Sequence, residues 1–178
     1  MYIIRFFDIL FSLFGLFFLS PLFLLIFIIN LISIRSPFFL QKRIGQYEKP
    51  FILIKFRTMP IGTISAPTHL VESSSISNLG LFLRKTKLDE LPQLLNVLKG
   101  EMSLVGPRPG LINQIELTDA RRRLMVFSVR PGITGLAQIN DIDMSTPELL
   151  AEIDSLMIND FSLYSYFKYI FITVTGRG

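Results

Sequence analysis

The segment from Ile9 to Ile34 constrains this chain more than any other. It is almost wholly apolar and exceeds the ~20 residues that cross a bilayer as a helix. It is too long for a cleaved signal peptide, and no small-residue cleavage site follows it. Ser20 and Pro21 interrupt it near the middle. Proline removes a backbone donor and clashes with the preceding turn, so the helix must kink or break there. In lipid the released carbonyls need partners, and the Ser20 hydroxyl can supply one. Two topologies meet these demands. A kinked span places Arg35, Lys42 and Arg43 in the cytoplasm and the N-terminus outside. A re-entrant hairpin keeps both ends on one face, with Arg5, Asp8 and Arg35 at the same interface. Residue physics alone favours the span, because most prolines inside membrane helices only bend them.

The rest of the composition narrows the function classes. The 178 residues fit one domain with a core of its own. Half are hydrophobic, and the mean hydropathy of +0.50 is too apolar for a simple soluble domain. A net charge of +4 and a pI near 9.5 suit anionic lipids or phosphorylated substrates. With no tryptophan and no interleaved basic and aromatic repeat, nucleic acid is not an expected partner. The absence of cysteine excludes disulfides and thiolate metal sites. His69 is the only histidine, which excludes a histidine metal site and argues against a Ser–His–Asp mechanism. Neither a Walker loop nor a dinucleotide glycine fingerprint is present.

Along the chain, Phe51 to Thr58 reads as a short strand rich in β-branched and aromatic residues. Pro60 to Asn78 reads as a loop, and Leu79 to Lys85 as a short helix. A second helix follows, with Leu88, Leu91, Leu94, Leu95 and Leu98 on one face and Gly100 as its stop. With Asp89 as N-cap, Pro92 falls in the first turn, where its missing N–H is harmless, and Asp89, Gln93 and Asn96 share a polar stripe. Asn113 to Val129 predicts another helix, carrying Arg121, Arg122 and Arg123 as a solvated or headgroup-facing surface. Arg130 to Gly135 reads as a rigid turn. Pro147 at N1 opens a helix to about Asn159. The aromatic tail from Phe161 to Val174 suits a membrane interface or an ordinary core helix equally well.

The chemistry concentrates around Asp89 and Glu90. Acids at a helix start usually do no more than complement the macrodipole. Here, however, Lys55, Arg84, Lys85, Lys87, Arg108 and Arg130 far outnumber the acids nearby. A carboxylate among cations is expected to keep a low pKa and stay ionised, ready to act as nucleophile or Mg²⁺ ligand. Arg108 lies between Pro107 and Pro109, which fix the backbone on both sides of a guanidinium suited to gripping phosphate. An arginine capping a helix C-terminus is the structural alternative.

Ordered blocks carry a resemblance from end to end. They begin with Arg5-Phe6-Phe7-Asp8, Ser20-Pro21, Gln41-Lys42-Arg43-Ile44-Gly45 and Lys55-Phe56-Arg57-Thr58-Met59. Leu83-Arg84, Lys87 to Gln93, Ser103 to Pro109, Arg130 to Gly135 and Ala137-Gln138-Ile139-Asn140 follow. In these blocks the chain resembles the small monotopic phosphoglycosyl transferases of bacteria, the undecaprenyl-phosphate sugar-phosphate transferases. The resemblance implies a mainly helical α/β fold, with a re-entrant membrane helix over residues 1–36 and a cytosolic, interfacial catalytic region over 37–178. Ser20 and Pro21 become the break of the re-entrant helix, in place of the kinked span.

It also implies a reaction. The aspartate matching Asp89 attacks the β-phosphate of a UDP-sugar, expels UMP and carries the sugar phosphate covalently; polyprenyl phosphate then accepts it, initiating a surface glycan. Mg²⁺ is the implied cofactor, with Asp89 as its protein contact. Glu90 supports the nucleophile or deprotonates the lipid phosphate. Lys55, Arg84, Arg108, Arg130 and Gln138 are expected to bind substrate and phosphate. The expected partners are a UDP-sugar, polyprenyl phosphate and the bilayer, with room for a homodimer, at the cytoplasmic face of the bacterial inner membrane. The chain departs from the family where Asp141 and Ile142 replace a usual glycine and arginine, and where Leu136 replaces a common tryptophan. The rival readings are a lipid glycosyl transferase that releases UDP and a membrane adaptor without catalysis.

Overall fold

A computed structural model describes residues 2–62 and 77–176; His69 lies outside them. The protein is mainly helical with two small sheets. The apolar N-terminus forms α1 (Tyr2–Phe18) and α2 (Ser20–Ile34), bent by 64° where they meet. Pro21 sits in the first turn of α2, and the Ser20 hydroxyl donates to the Phe17 carbonyl at 2.7 Å, meeting one acceptor that the break releases. No single helix among the described residues is long and apolar enough to cross a membrane.

Polar side chains dock both helices onto the rest of the protein. Arg5 donates to the carbonyls of Val97 and Leu98 at 2.7 and 3.0 Å. The buried Asp8 accepts from the Ser103 hydroxyl, the Leu104 N–H and the Tyr166 hydroxyl. At the far end of α2, the buried Asn30 donates to the Arg57 carbonyl at 3.0 Å. Leu13, Phe14, Phe17, Phe18, Leu24 and Leu25, around the bend, remain exposed.

After α2 the chain makes an antiparallel hairpin, β1 (Phe38–Ile44) and β2 (Pro50–Phe56), pairing Phe38 with Phe56 and Ile44 with Pro50. Only the second strand has a clear sequence signal. Next come α3 (Asn78–Lys85), a 3-10 turn over Leu88–Glu90, and α4 (Gln93–Lys99). The single helix expected from Asp89 onward is therefore divided. Lys87 takes a left-handed φ of 56°, Asp89 lies inside the turn, and Pro92, not Asp89, caps α4. Gly100, at φ 85°, ends α4 as expected.

A parallel pair, β3 (Ser103–Val105) and β4 (Gly132–Thr134), forms where the sequence reads as loop and turn. The strands close so tightly that a Cβ on Gly132 would collide with the Gly106 backbone, and one on Gly106 would lie 2.5 Å from the Arg130 carbonyl. Four further helices complete the chain: α5 (Ile115–Arg123), α6 (Leu136–Ile139), α7 (Pro147–Asn159) and α8 (Leu163–Val174). In α8, Tyr166 and Tyr169 are core residues with Val105 and Met157, while Tyr164 and Phe171 are exposed, so the tail serves the core along one face.

Candidate active site

Strand β2 and the 3-10 turn bring Lys55 and Glu90 together. The Lys55 ammonium donates to Glu90 Oε1 at 2.7 Å, and Arg108 Nη2 donates to the same oxygen at 2.9 Å. Burial alone would raise the Glu90 carboxyl, but the two cations overcome it and hold its pKa down at about 2. Burial likewise lowers Lys55, with Glu90 opposing.

Asp89, only 8 % exposed, accepts no hydrogen bond from any of the described residues. Burial pushes its pKa up to about 6; Lys55, Arg84 and Arg108 oppose the rise, and the adjacent Glu90 adds to it. The low pKa expected from the surrounding cations is therefore not found. Lys55 and Arg108 bond to Glu90 instead, leaving Asp89 desolvated without a donor. Near pH 7 it is still mostly ionised.

The arginine between two prolines is held from behind. Buried Arg43 donates to the Pro109 carbonyl at 2.8 Å and to Gln41 Oε1. Buried Arg121 donates to the Arg108 carbonyl at 2.8 Å, and its other nitrogens form a buried ion pair with Asp154. Arg121 is therefore not the surface cation that its place in a triple-arginine run suggests. It lies on the inward face of α5, whereas Arg122 and Arg123 pair with Glu48, Asp119 and Glu148 at the surface.

Other expected site residues scatter. The Arg84 side chain donates to Thr58 Oγ1 at 3.0 Å, and its charge reaches Asp89. Gln138 donates to the Gly106 carbonyl at 3.2 Å, supporting the turn ahead of Pro107. Arg130 donates to the Gly100 carbonyl at 2.8 Å and lines a second cavity, not the cleft formed by Lys55, Glu90 and Arg108. Lys85 and Lys87 point outward from the turn. Asn96, on the expected polar stripe, is fully buried against β2: it accepts from the Ile54 N–H at 3.1 Å and donates to the Ile52 carbonyl at 2.7 Å. It thereby locks α4 to the strand that carries Lys55.

The departures from the family pattern also find places. Asp141 adopts φ 54°, the left-handed region that favours glycine and that aspartate tolerates. Ile142 packs beside the buried Leu117, Ala137 and Leu150, so an aliphatic core contact stands where an arginine is usual.

The chain is similar to known proteins along nearly its whole length. A family model described as bacterial sugar transferase matches residues 1–177. The sugar transferase EpsL of Bacillus subtilis is 43 % identical over 80 % of this chain and 71 % of its own length. The exopolysaccharide production protein ExoY of Sinorhizobium fredii is 36 % identical over 96 % of this chain and 83 % of its own. A UDP-glucose:undecaprenyl-phosphate glucose-1-phosphate transferase of Klebsiella pneumoniae is also 36 % identical over 94 % of this chain, which spans 38 % of that longer protein. The family match spans residues 1–177, and the chain belongs to the bacterial sugar transferase family of phosphoglycosyl transferases.

Proposed function

We propose that this protein transfers a sugar phosphate from a UDP-sugar to a polyprenyl phosphate, through a covalent intermediate on Asp89. The observation that carries the reading is the division of labour between two adjacent acids. Glu90 is held at a pKa of about 2 by Lys55 and Arg108, while Asp89 is buried, without a donor, at about 6. The reaction for which the Klebsiella relative is named supports the donor and acceptor classes.

In the first step an Asp89 oxygen forms a bond to the β-phosphorus. The bond from that phosphorus to the bridging oxygen breaks, and UMP leaves with the electron pair. In the second, an oxygen of the lipid phosphate attacks the same phosphorus and releases Asp89, giving the polyprenyl diphosphate sugar. Lys55, Arg84 and Arg108 supply fixed positive charge for an in-line transfer whose charge gathers on phosphate oxygens. Glu90, ionised throughout the physiological range, is a poor base; its work is to hold Lys55 and Arg108 in place.

Mg²⁺ fits the donor set. It takes one or two carboxylates and completes its octahedron with water and phosphate oxygens, and Asp89 has oxygens that no described residue engages. Among the described residues there is no group of three or more histidines and acids to form an all-protein cage. Bound at Asp89 with the diphosphate, the ion would neutralise charge on the leaving phosphate.

The bent pair α1–α2 is read as re-entrant, entering and leaving the cytoplasmic face of the bacterial inner membrane. Arg5, Asp8 and Asn30, near its two ends, all dock on the catalytic region, and the exposed apolar side chains gather around the bend. Such an arrangement holds the nucleophile where a membrane-bound phosphate meets a soluble nucleotide.

Intact-mass spectrometry of the protein incubated with Mg²⁺ and individual UDP-sugars tests the chemistry. The expected result is an adduct of one sugar phosphate, absent in Asp89→Asn, with UMP in solution. Release of UDP without an adduct would overturn it in favour of simple glycosyl transfer.

A further inference from the structure

Arg130 belongs to a motif that the sequence ties to phosphate, yet it does not line the catalytic cleft. It borders a larger cavity of about 380 Å³, within the ~300–1,000 Å³ usual for small-molecule sites. The β3–β4 ribbon stands between the two. On one side Ile133 packs with Leu53 and Val97; on the other Val105 packs with Met157 and Tyr166.

The second cavity is mostly apolar, with Ile4, Val129, Ile158 and Phe161 in its wall, yet three charged groups also line it. Arg5 turns both terminal nitrogens to the end of α4, and Asp8 Oδ1 is occupied by three donors. Arg130 uses only Nε, toward Gly100, so its two Nη groups bond to none of the described residues. Two cations against one acid leave the site positive, with a guanidinium fork at an otherwise greasy wall. That pairing of an apolar slot with an open bidentate donor matches an amphiphile carrying a phosphate. Two of the helices that bound the cavity, α1 and α8, expose Ile3, Phe6, Leu163 and Tyr164, an apolar and aromatic rim of the kind that rests in a bilayer interface.

We propose that this cavity is a site for an anionic bilayer phospholipid, separate from the catalytic cleft, with the lipid phosphate on Arg130 and an acyl chain against Val129 and Ile158. The inference rests on the membrane reading of α1 and α2. It assigns Arg130 to the lipid surroundings of the enzyme, not to its donor or acceptor.

The test uses the full chain in vesicles of phosphatidylcholine, with and without phosphatidylglycerol, followed by native mass spectrometry of the retained lipid. Both lipids carry a phosphate, so the preference reads the choline cation, which Arg5 and Arg130 repel; wild type should retain phosphatidylglycerol ~10-fold over phosphatidylcholine. Arg130→Gln should lose that preference and Arg130→Lys keep part of it. Arg123→Gln, which removes the same charge from an exposed position, should keep it whole. Val129→Trp, which fills the slot, should lower retention of both lipids. Equal retention of the two lipids by wild type, or an unchanged preference in Arg130→Gln, overturns the proposal. So does displacement of the lipid by inorganic phosphate at equal concentration, which would mark a site for a free anion. Flotation of the same samples separates the two readings. Protein that floats without preference refutes only the lipid site, whereas protein that floats with neither vesicle refutes the membrane reading as well.

Discussion

Asp154 and Asp89 are both aspartates pressed into the interior, and burial raises the pKa of each. Their surroundings differ. Asp154 faces a guanidinium, and Arg121 donates to its Oδ2 at 3.0 and 2.6 Å while reaching on to the Arg108 carbonyl. Asp89 has cations close by but no donor, because Lys55 and Arg108 bond to Glu90. One buried carboxylate is paired through Oδ2 and supports a loop; the other has cations nearby but no donor. A charge removed from water is costly unless paired, so the proposed reaction, and not stability, is what would account for Asp89.

The largest effect expected from this contrast is chemical. Asp89→Asn should lower UMP release by ~10⁴-fold or more, the scale of a lost nucleophile, while the melting temperature holds or rises because an unpaired buried charge has gone. A melting temperature that falls sharply would show that Asp89 is structural after all. Asp154→Ala should behave in the opposite way, destabilising the fold by about 3–5 kcal/mol through the stranded Arg121, as read from denaturant unfolding. Replacing both partners, Arg121→Met with Asp154→Leu, should restore much of that stability. Activity should stay reduced, because the Arg108 carbonyl has lost its donor. Recovery of both together would sever the proposed link from α5 and α7 to the arginine loop.

A smaller effect lies in pH. In the proposed mechanism only ionised Asp89 attacks, so the rate of adduct formation should fall ~10-fold per unit as pH drops below about 6. Its folded pKa is raised above the ordinary 3.8, so the folded protein binds this proton more tightly than the unfolded chain. The resulting stabilisation is complete below 3.8 and is lost as pH rises through about 6. A rate profile still flat at pH 5 would mean that Asp89 is better solvated than its burial implies. The smallest effect belongs to the surface. Arg122→Ala and Arg123→Ala break solvent-screened pairs with Glu48 and Glu148 and should each leave the denaturant midpoint indistinguishable from wild type.

Much of this architecture is legible in the sequence where local physics decides. Pro147 at N1 marks the start of α7, and Ser20-Pro21 marks the break between α1 and α2. What stays hidden is decided by partners distant in sequence. Strands β3 and β4 have three residues each, too few for a period to show, and they pair across an interval that holds a whole helix. Three consecutive arginines read as one solvated surface, but a helix turns ~100° per residue, and only Arg121 meets Asp154. Asp89 as N-cap satisfies local rules that the left-handed Lys87 overrides. The block residues Arg43 and Thr58 could be listed from the sequence, but their work of holding the Pro109 carbonyl and orienting Arg84 appears only in three dimensions.

Arg5 closes the end of α4 through the Val97 and Leu98 carbonyls, and at the other end of the contact a Cβ on Gly15 would lie 3.1 Å from Leu94. The two helices are therefore gripped at two points, about ten residues apart along α1. Any tilt or rise of α1 carries α4 with it, and with α4 the adjoining turn that holds Asp89. With the bent pair seated in a bilayer as proposed, the protein is expected to act as a lever with a fixed elbow: its own geometry sets the height of Asp89, and a thicker or thinner bilayer shifts the whole body without opening or closing the cleft.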